Sequence, residues 1–368
     1  MFYIIGSGLV GISIGYNLIK EGHEVTIFGE ENTVGQSSIA AVGMLAPLME
    51  FKPGEENLFN LMLESNSKWE GYAKEIQTYS KKKIGFKKNS SLLLANNNDE
   101  FQKLLFKKDF FKKFGFNISL FDAQKTLKSE PNLSPKTIGS LLIKNQDQVN
   151  PLLLKKTLIE IFLKKGSKIE NNKKVEKLII RNNKVGIVSQ EKELFGSKVI
   201  IAAGSWSRDI LLNSFNVSIP IRPVKGVSLK LSPRKNKIKI MHNLWFRNIY
   251  VAPRDNGDLI IGATEEENGF DNRISLGESY FLIKNIWESL PFTDDYEICD
   301  FKSGLRPASY DGLPYIGTLS SISKDIICAF GHYRNGVLLA PVTAEIVKNI
   351  IKKGKSESKY KYFLPERF

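Results

Sequence analysis

The chain has 368 residues, 42% apolar and 25% charged, with 53 basic against 39 acidic side chains and a net charge of +14. That composition excludes disordered, collagenous and coiled-coil chains. The cations are 43 lysines and 10 arginines, so a solvated lysine-rich surface is expected rather than a nucleic-acid partner.

Two cysteines, Cys299 and Cys328, make no disulfide framework and no metal-ligand spacing. No apolar run is long enough to span a membrane and no leader is read before the first strand. A cytoplasmic protein with no metal and no membrane partner is expected.

Taken in chain order, residues 2–6 read as an apolar strand, 9–20 as a helix and 24–28 as a second strand. Between them Gly6-Ser7-Gly8-Leu9-Val10-Gly11 matches the G-x-G-x-x-G dinucleotide turn. There Gly6 permits the tight turn and Gly8 lets a pyrophosphate approach the backbone. Gly11 lets the helix pack on the sheet, and the helix N-terminus favours phosphate. An acid that holds a ribose hydroxyl is expected about 20 residues on. Gly29 stands there, and Glu30 is the expected substitute.

Residues 58–80 and 101–114 show helical spacing. A helix at 152–165 follows Asn150-Pro151, a favourable start. Strands are expected at 168–170 and 198–203, with a hairpin of 177–181 and 185–189 around Asn182-Asn183. A second hairpin, 248–253 and 258–262, turns at Asp255-Asn256-Gly257. A strand at 326–330 runs into a helix expected over 336–352.

The βαβ material at both ends and in the middle, with antiparallel material between, predicts an α/β fold. A discontinuous Rossmann-like nucleotide-binding domain (1–85, 146–220 and 305–368) receives an inserted α+β antiparallel-sheet domain (86–145 and 221–304).

Four blocks go beyond the nucleotide turn. They are Gly6 to Gly11; Gln36-Ser37-Ser38 running into Ala41-Val42-Gly43-Met44; Gly304-Leu305-Arg306-Pro307 running on to Gly317; and Gly331-His332-Tyr333-Arg334-Asn335-Gly336-Val337-Leu338. With Ala202-Ala203-Gly204 they resemble the D-amino-acid-oxidase-type FAD-dependent oxidoreductase family, and within it the branch that oxidises glycine for thiamine biosynthesis.

The resemblance spans the chain and implies FAD in the Rossmann-like domain and a small amino acid, glycine above all, against the inserted sheet. It implies hydride transfer from the substrate Cα, an imine that hydrolyses to a 2-oxo acid and ammonia, and molecular oxygen reduced to peroxide. Carried over by position, Arg306 is the carboxylate clamp, and its fork suits a carboxylate as lysine could not. Arg334 is a second clamp or a charge beside the flavin, and Tyr250 faces the substrate. Gly6, Gly8, Leu9, Val10, Gly11, Glu30, Ser37, Ser38, Val42, Gly43, Met44, Val175 and Gly204 contact the cofactor. So do His332, Tyr333, Arg334, Asn335, Gly336, Val337 and Leu338, along the N-terminus of the last helix.

Relatives that bind flavin covalently use a cysteine near the Arg306 block. Ala308 and Ser309 stand there, so noncovalent FAD is expected. A homotetramer is also implied. Three other readings share the residues: a D-amino-acid, sarcosine or proline dehydrogenase or oxidase of the same family; an RNA-associated flavoprotein, supported by the charge alone; and a flavin-free relative, suggested by Gly29.

Overall fold

A computed structural model describes residues 1–29, 35–235 and 238–367. Its first sheet has six strands, in the order Tyr315–Leu319, Ser323–Phe330, Lys198–Ile201, Phe2–Ile5, Val25–Gly29 and Lys168–Asn171. All neighbours pair in parallel except Tyr315–Leu319, which runs antiparallel to Ser323–Phe330. Phe2–Ile5 lies between two other strands and is buried along its whole length, which is why it reads as an unbroken apolar run.

Its side chains alternate between two cores. Phe2 and Ile4 pack with Ile12, Leu158 and Val342 of the helices Leu9–Lys20, Pro151–Lys164 and Ala340–Lys353. Tyr3 and Ile5 pack with Leu178, Val185 and Ile187 of a three-stranded antiparallel sheet and with Ile210 of the helix Ser207–Phe215.

The second sheet has nine strands. Their order is Gly35–Gln36, Tyr296–Ser309, Ile221–Pro233, Leu259–Gly262, Ile249–Pro253, Asn243–Phe246, Ser91–Ala95, Gly139–Ile143 and Ser119–Asp122. The helix Leu276–Ser289 lays Leu282 and Ile286 on one face, against Val227, Leu229, Val251 and Ile261. Within each of the pieces 86–145 and 221–304 neighbouring strands pair antiparallel, as expected. The two pieces join to each other in parallel, Asn243–Phe246 beside Ser91–Ala95. Parallel neighbours need a long connection rather than a tight turn, and the intervening chain supplies one.

The 304/305 division expected between domains falls inside one uninterrupted strand. Tyr296–Ser309 pairs with Ile221–Pro233 from Tyr296 to Ser309. Both long strands belong to the nine-stranded sheet, and Tyr296–Ser309 carries Arg306.

The last helix begins at Ala340, not at 336. Tyr333–Asn335 forms a separate 3-10 turn, with Tyr333 at φ 48°. Pro341 explains the difference. It sits in the first helical turn, where its missing amide costs nothing, whereas a start at 336 would have put it in the interior. The two expected hairpins form, with Asn182, Asn183 and Gly257 at positive φ. Among the described residues no helix is long and apolar enough to cross a membrane.

Candidate active site

A cavity of about 540 Å³ runs from the nucleotide turn to the junction of the two sheets. At its nucleotide end the strand Phe2–Ile5 passes through Gly6, at φ 114°, into the helix Leu9–Lys20. A methyl group at position 6 would overlap the Ala202 carbonyl, and one at position 11 would overlap the Gly6 carbonyl. Gly6, Gly8, Leu9 and Val10 line the cavity. Gly11 does not, and its place in the structure is the close approach of helix to strand.

The helix starts at Gly8 without a side-chain cap and without an acid in its first turn. Its Leu9 amide donates to Ser38 Oγ at 3.0 Å. This end therefore presents positive amide dipoles and no negative side chain, the chemistry a pyrophosphate needs. Val175 and Gly204 line the far wall with Asp209 and Asn213. A side chain on Gly29 would press on Ser7, so no ribose-binding acid is accommodated there. Glu30, the expected substitute, lies outside the described residues.

Ser37 and Ser38 both line the cavity but are not equivalent. The Ser37 hydroxyl donates to the Leu305 carbonyl, which also accepts from Ser205 Oγ at 3.0 Å. Ser37 thus donates within the protein, whereas Ser38 Oγ is the acceptor for the Leu9 amide at the start of the helix. His332 lines the cavity too, but its ring is 2.9 Å from Thr343 Oγ1 on the last helix. Burial drives its pKa down to about 3, so it is neutral at physiological pH. Asn335, Gly336, Val337 and Leu338 continue the wall. The Leu338 carbonyl is held by Trp69 Nε1 at 2.8 Å and Ser65 Oγ at 2.6 Å, both on the helix Glu56–Ser80.

The opposite end brings together Val42, Gly43, Met44, Tyr250, Arg306, Tyr333 and Arg334. Arg306 Nη1 donates to the carbonyls of Lys225 at 3.2 Å and Thr264 at 3.1 Å. No carboxylate lies within 4 Å of it among the described residues. The Tyr250 ring packs on Trp245 with centroids 4.7 Å apart. Burial pushes the Tyr250 phenol up, and Arg306 and Arg334 offset this only in part, so it stays protonated at neutral pH.

Arg334 differs from Arg306 in having carboxylate partners. Its Nε is 3.2 Å from Glu50 Oε2 and its Nη1 3.3 Å from Glu265 Oε2. The Tyr333 hydroxyl donates to the other Glu265 oxygen. Glu50, foremost, holds the Arg334 guanidinium above its ordinary pKa. Burial acts to raise Glu265, but Tyr333, Arg334 and Arg306 together keep it below the usual carboxylate range.

Sequence reasoning missed Glu50 and Glu265, and no motif marks either. It also missed Gly226, for which a signal existed, because an isolated glycine inside a strand often marks a close approach. A methyl group there would overlap the Arg306 guanidinium. Gly226→Ala is therefore expected to displace the tip of Arg306 while preserving the fold. The check is titration with a competitive carboxylate ligand, with binding at least tenfold weaker and the melting temperature little changed.

The chain matches a profile of the FAD dependent oxidoreductase (DAO) family over residues 2–350. It belongs to that family, and its cofactor is FAD. It is 28% identical over 356 residues to glycine oxidase of Geobacillus kaustophilus (strain HTA426), covering 95% of this chain and 92% of that one. The crystal structure of glycine oxidase from Geobacillus kaustophilus matches with a TM-score of 0.92 at 27% identity, over 100% of this chain and 98% of the other.

The chain is also 26% identical over 380 residues to the bifunctional protein ThiO/ThiG of Trichormus variabilis, covering 99% of this chain and 54% of that one. It is 26% identical over 400 residues to hydrogen cyanide synthase subunit HcnC of Pseudomonas protegens, covering 99% and 95%. The residues present fit FAD: a glycine turn where a methyl group would clash, an uncapped helix N-terminus, and one continuous cavity from there to Arg306.

Proposed function

We propose that this protein is an FAD-dependent oxidase of glycine or another small amino acid. Arg306 carries the reading. It is the arginine in the cavity whose fork has no carboxylate partner among the described residues, and it stands beside a protonated phenol. A substrate carboxylate supplies the missing partner in a bidentate pair. The carbonyls of Lys225 and Thr264 hold the guanidinium plane while this happens, and Tyr250 donates to the same substrate.

Arg334, neutralised by Glu50 and Glu265, offers no second anion seat, so the site takes one carboxylate. Bound FAD supplies the two-electron oxidation of the amino acid, with oxygen as the final acceptor. The amine loses its proton to solvent before the hydride leaves. Hydrolysis of the imine product yields a 2-oxo acid and ammonia.

The inserted sheet, residues 86–145 and 221–304, is the substrate-binding part of this reading, and 1–85, 146–220 and 305–368 the FAD-binding part. The FAD is noncovalent, in keeping with a cavity lined by no cysteine among the described residues. The likeness to a chain that joins ThiO to ThiG supports a role in supplying the glycine imine for the thiazole of thiamine. Cys299 and Cys328 are both free thiols, which accords with a cytoplasmic location.

The test is anaerobic mixing of the purified protein with glycine, sarcosine and D-alanine, following the yellow absorbance. Bleaching, then return of colour and peroxide on admitting air, is expected, and acid precipitation is expected to leave the flavin in solution. A yellow protein that none of the three bleaches overturns the substrate assignment. Bleaching without recovery in air overturns the oxidase assignment in favour of a dehydrogenase.

A further inference from the structure

The hairpin turn at 255–257 places Arg254 behind the cavity wall. Arg254 is not itself a lining residue. Its Nη2 donates to the Val42 carbonyl, and its Nη1 to the Val149 carbonyl at 3.2 Å and to Gln148 Oε1 at 2.6 Å. The nearby carboxylates are engaged elsewhere: Asp255 is 3.7 Å from Lys87 and Asp258 is 2.9 Å from Lys230. A guanidinium is therefore spent on main-chain and amide oxygens. Burial costs it enough to lower its pKa to about 10.

What it holds is specific. The Val149 amide donates to the Gly43 carbonyl at 2.9 Å, and Met44 pairs with Gln148. Gln148 Nε2 donates back to the Pro253 carbonyl at 2.9 Å. The segment Val42-Gly43-Met44 is thus tied to the hairpin on both sides of Gly43. Val42 in turn meets the substrate end of the cavity. A methyl group on Gly262 would lie 2.7 Å from Val42 and 2.8 Å from the Tyr250 ring.

We infer that Arg254 is a positioning residue, which by gripping the Val42 and Val149 carbonyls sets the depth of the Val42–Gly43–Met44 wall beside Tyr250 and Arg306, and with it the retention of FAD. The fork is essential to this role. Lysine delivers one point charge and cannot serve two carbonyls and an amide oxygen in fixed directions.

The experiment uses the purified holoenzyme and reads the rate of FAD release on dilution, from flavin fluorescence, together with the visible absorption band. Arg254→Met and Arg254→Lys are each expected to release FAD on the order of tenfold faster with a shifted band. Added methylguanidinium is expected to slow release from Arg254→Gly. A wild-type release rate and spectrum in Arg254→Lys overturns the proposal, because charge alone then suffices. Faster release with an unshifted band and no rescue by methylguanidinium also overturns it, because Arg254 is then merely structural. If Arg254→Met does not fold, the lysine variant and the rescue decide.

Discussion

Arg306→Leu is expected to lower kcat/KM for glycine by about three orders of magnitude while FAD remains bound. Removing one partner of a hydrogen-bonded charge pair in a desolvated site costs about 2–5 kcal/mol or more, and each 1.4 kcal/mol is about tenfold. The guanidinium is held by two carbonyls and has no competing carboxylate among the described residues, so its pairing capacity is available to the ligand. Arg306→Lys is expected to recover little, since a single ammonium cannot reproduce the fork. Arg334→Leu provides the contrast. That guanidinium already has Glu50 and Glu265, so its removal disturbs the wall rather than the anion seat. The measurement is steady-state oxygen uptake with glycine for the three variants, with the flavin spectrum as a check on cofactor content. Equal losses for Arg306→Leu and Arg334→Leu would count against Arg306 as the sole clamp.

Lys225→Met is expected to cost about 3–5 kcal/mol of stability, the usual loss when one partner of a buried ion pair is removed. The Lys225 and Glu278 side chains are only 3% and 1% exposed, 3.0 Å apart. Glu278 also accepts from the Ser275 amide at 2.8 Å in the capping box of the helix Leu276–Ser289. Burial works against the Lys225 ammonium, but Glu278 and Glu266 outweigh it and hold its pKa above the ordinary value. Burial works against the Glu278 carboxylate too, and the Ser275 amide and Lys225 outweigh it, leaving that pKa below the ordinary value.

The signs follow. The Glu278 contribution is present above its unfolded pKa, about 4.3, and is lost as pH falls through the lower folded value. The Lys225 contribution is present below about 10.4 and is lost as pH rises through the higher folded value. Urea unfolding should therefore show the full deficit of Lys225→Met at pH 7 and a smaller one below pH 4. The double variant Lys225→Met with Glu278→Leu should recover part of the loss. A deficit that does not change between the two pH values would remove the ion pair as its cause.

Much of the outline was legible in the amino-acid order because its causes are local. The turn Gly6 to Gly11 reads correctly because glycine alone tolerates φ 114° and the close approach of a carbonyl. The strand Phe2–Ile5 reads correctly because burial on both faces demands apolar residues in succession, and the turns at Asn182-Asn183 and Gly257 because those residues tolerate the positive φ found there. Pro341 was legible in principle as well. It forbids the helix start at 336, and only its weight against the helical pattern was misjudged.

What tertiary structure alone decided is which charges meet. Glu50, Glu265 and Arg334 lie far apart along the chain yet converge within 3.3 Å. That convergence leaves Arg306, not Arg334, with its fork unpaired by a carboxylate among the described residues. Lys225, Thr264 and Glu278 are joined only because the chain after Leu259–Gly262 returns beside Ile221–Pro233 and the helix Leu276–Ser289 packs against that strand. Coulomb and hydrogen-bond energies depend on separation in space, and no local rule of backbone conformation or side-chain period encodes that separation. The residue types needed for the chemistry are written in the sequence; their division into a paired arginine and an open one is a property of the fold.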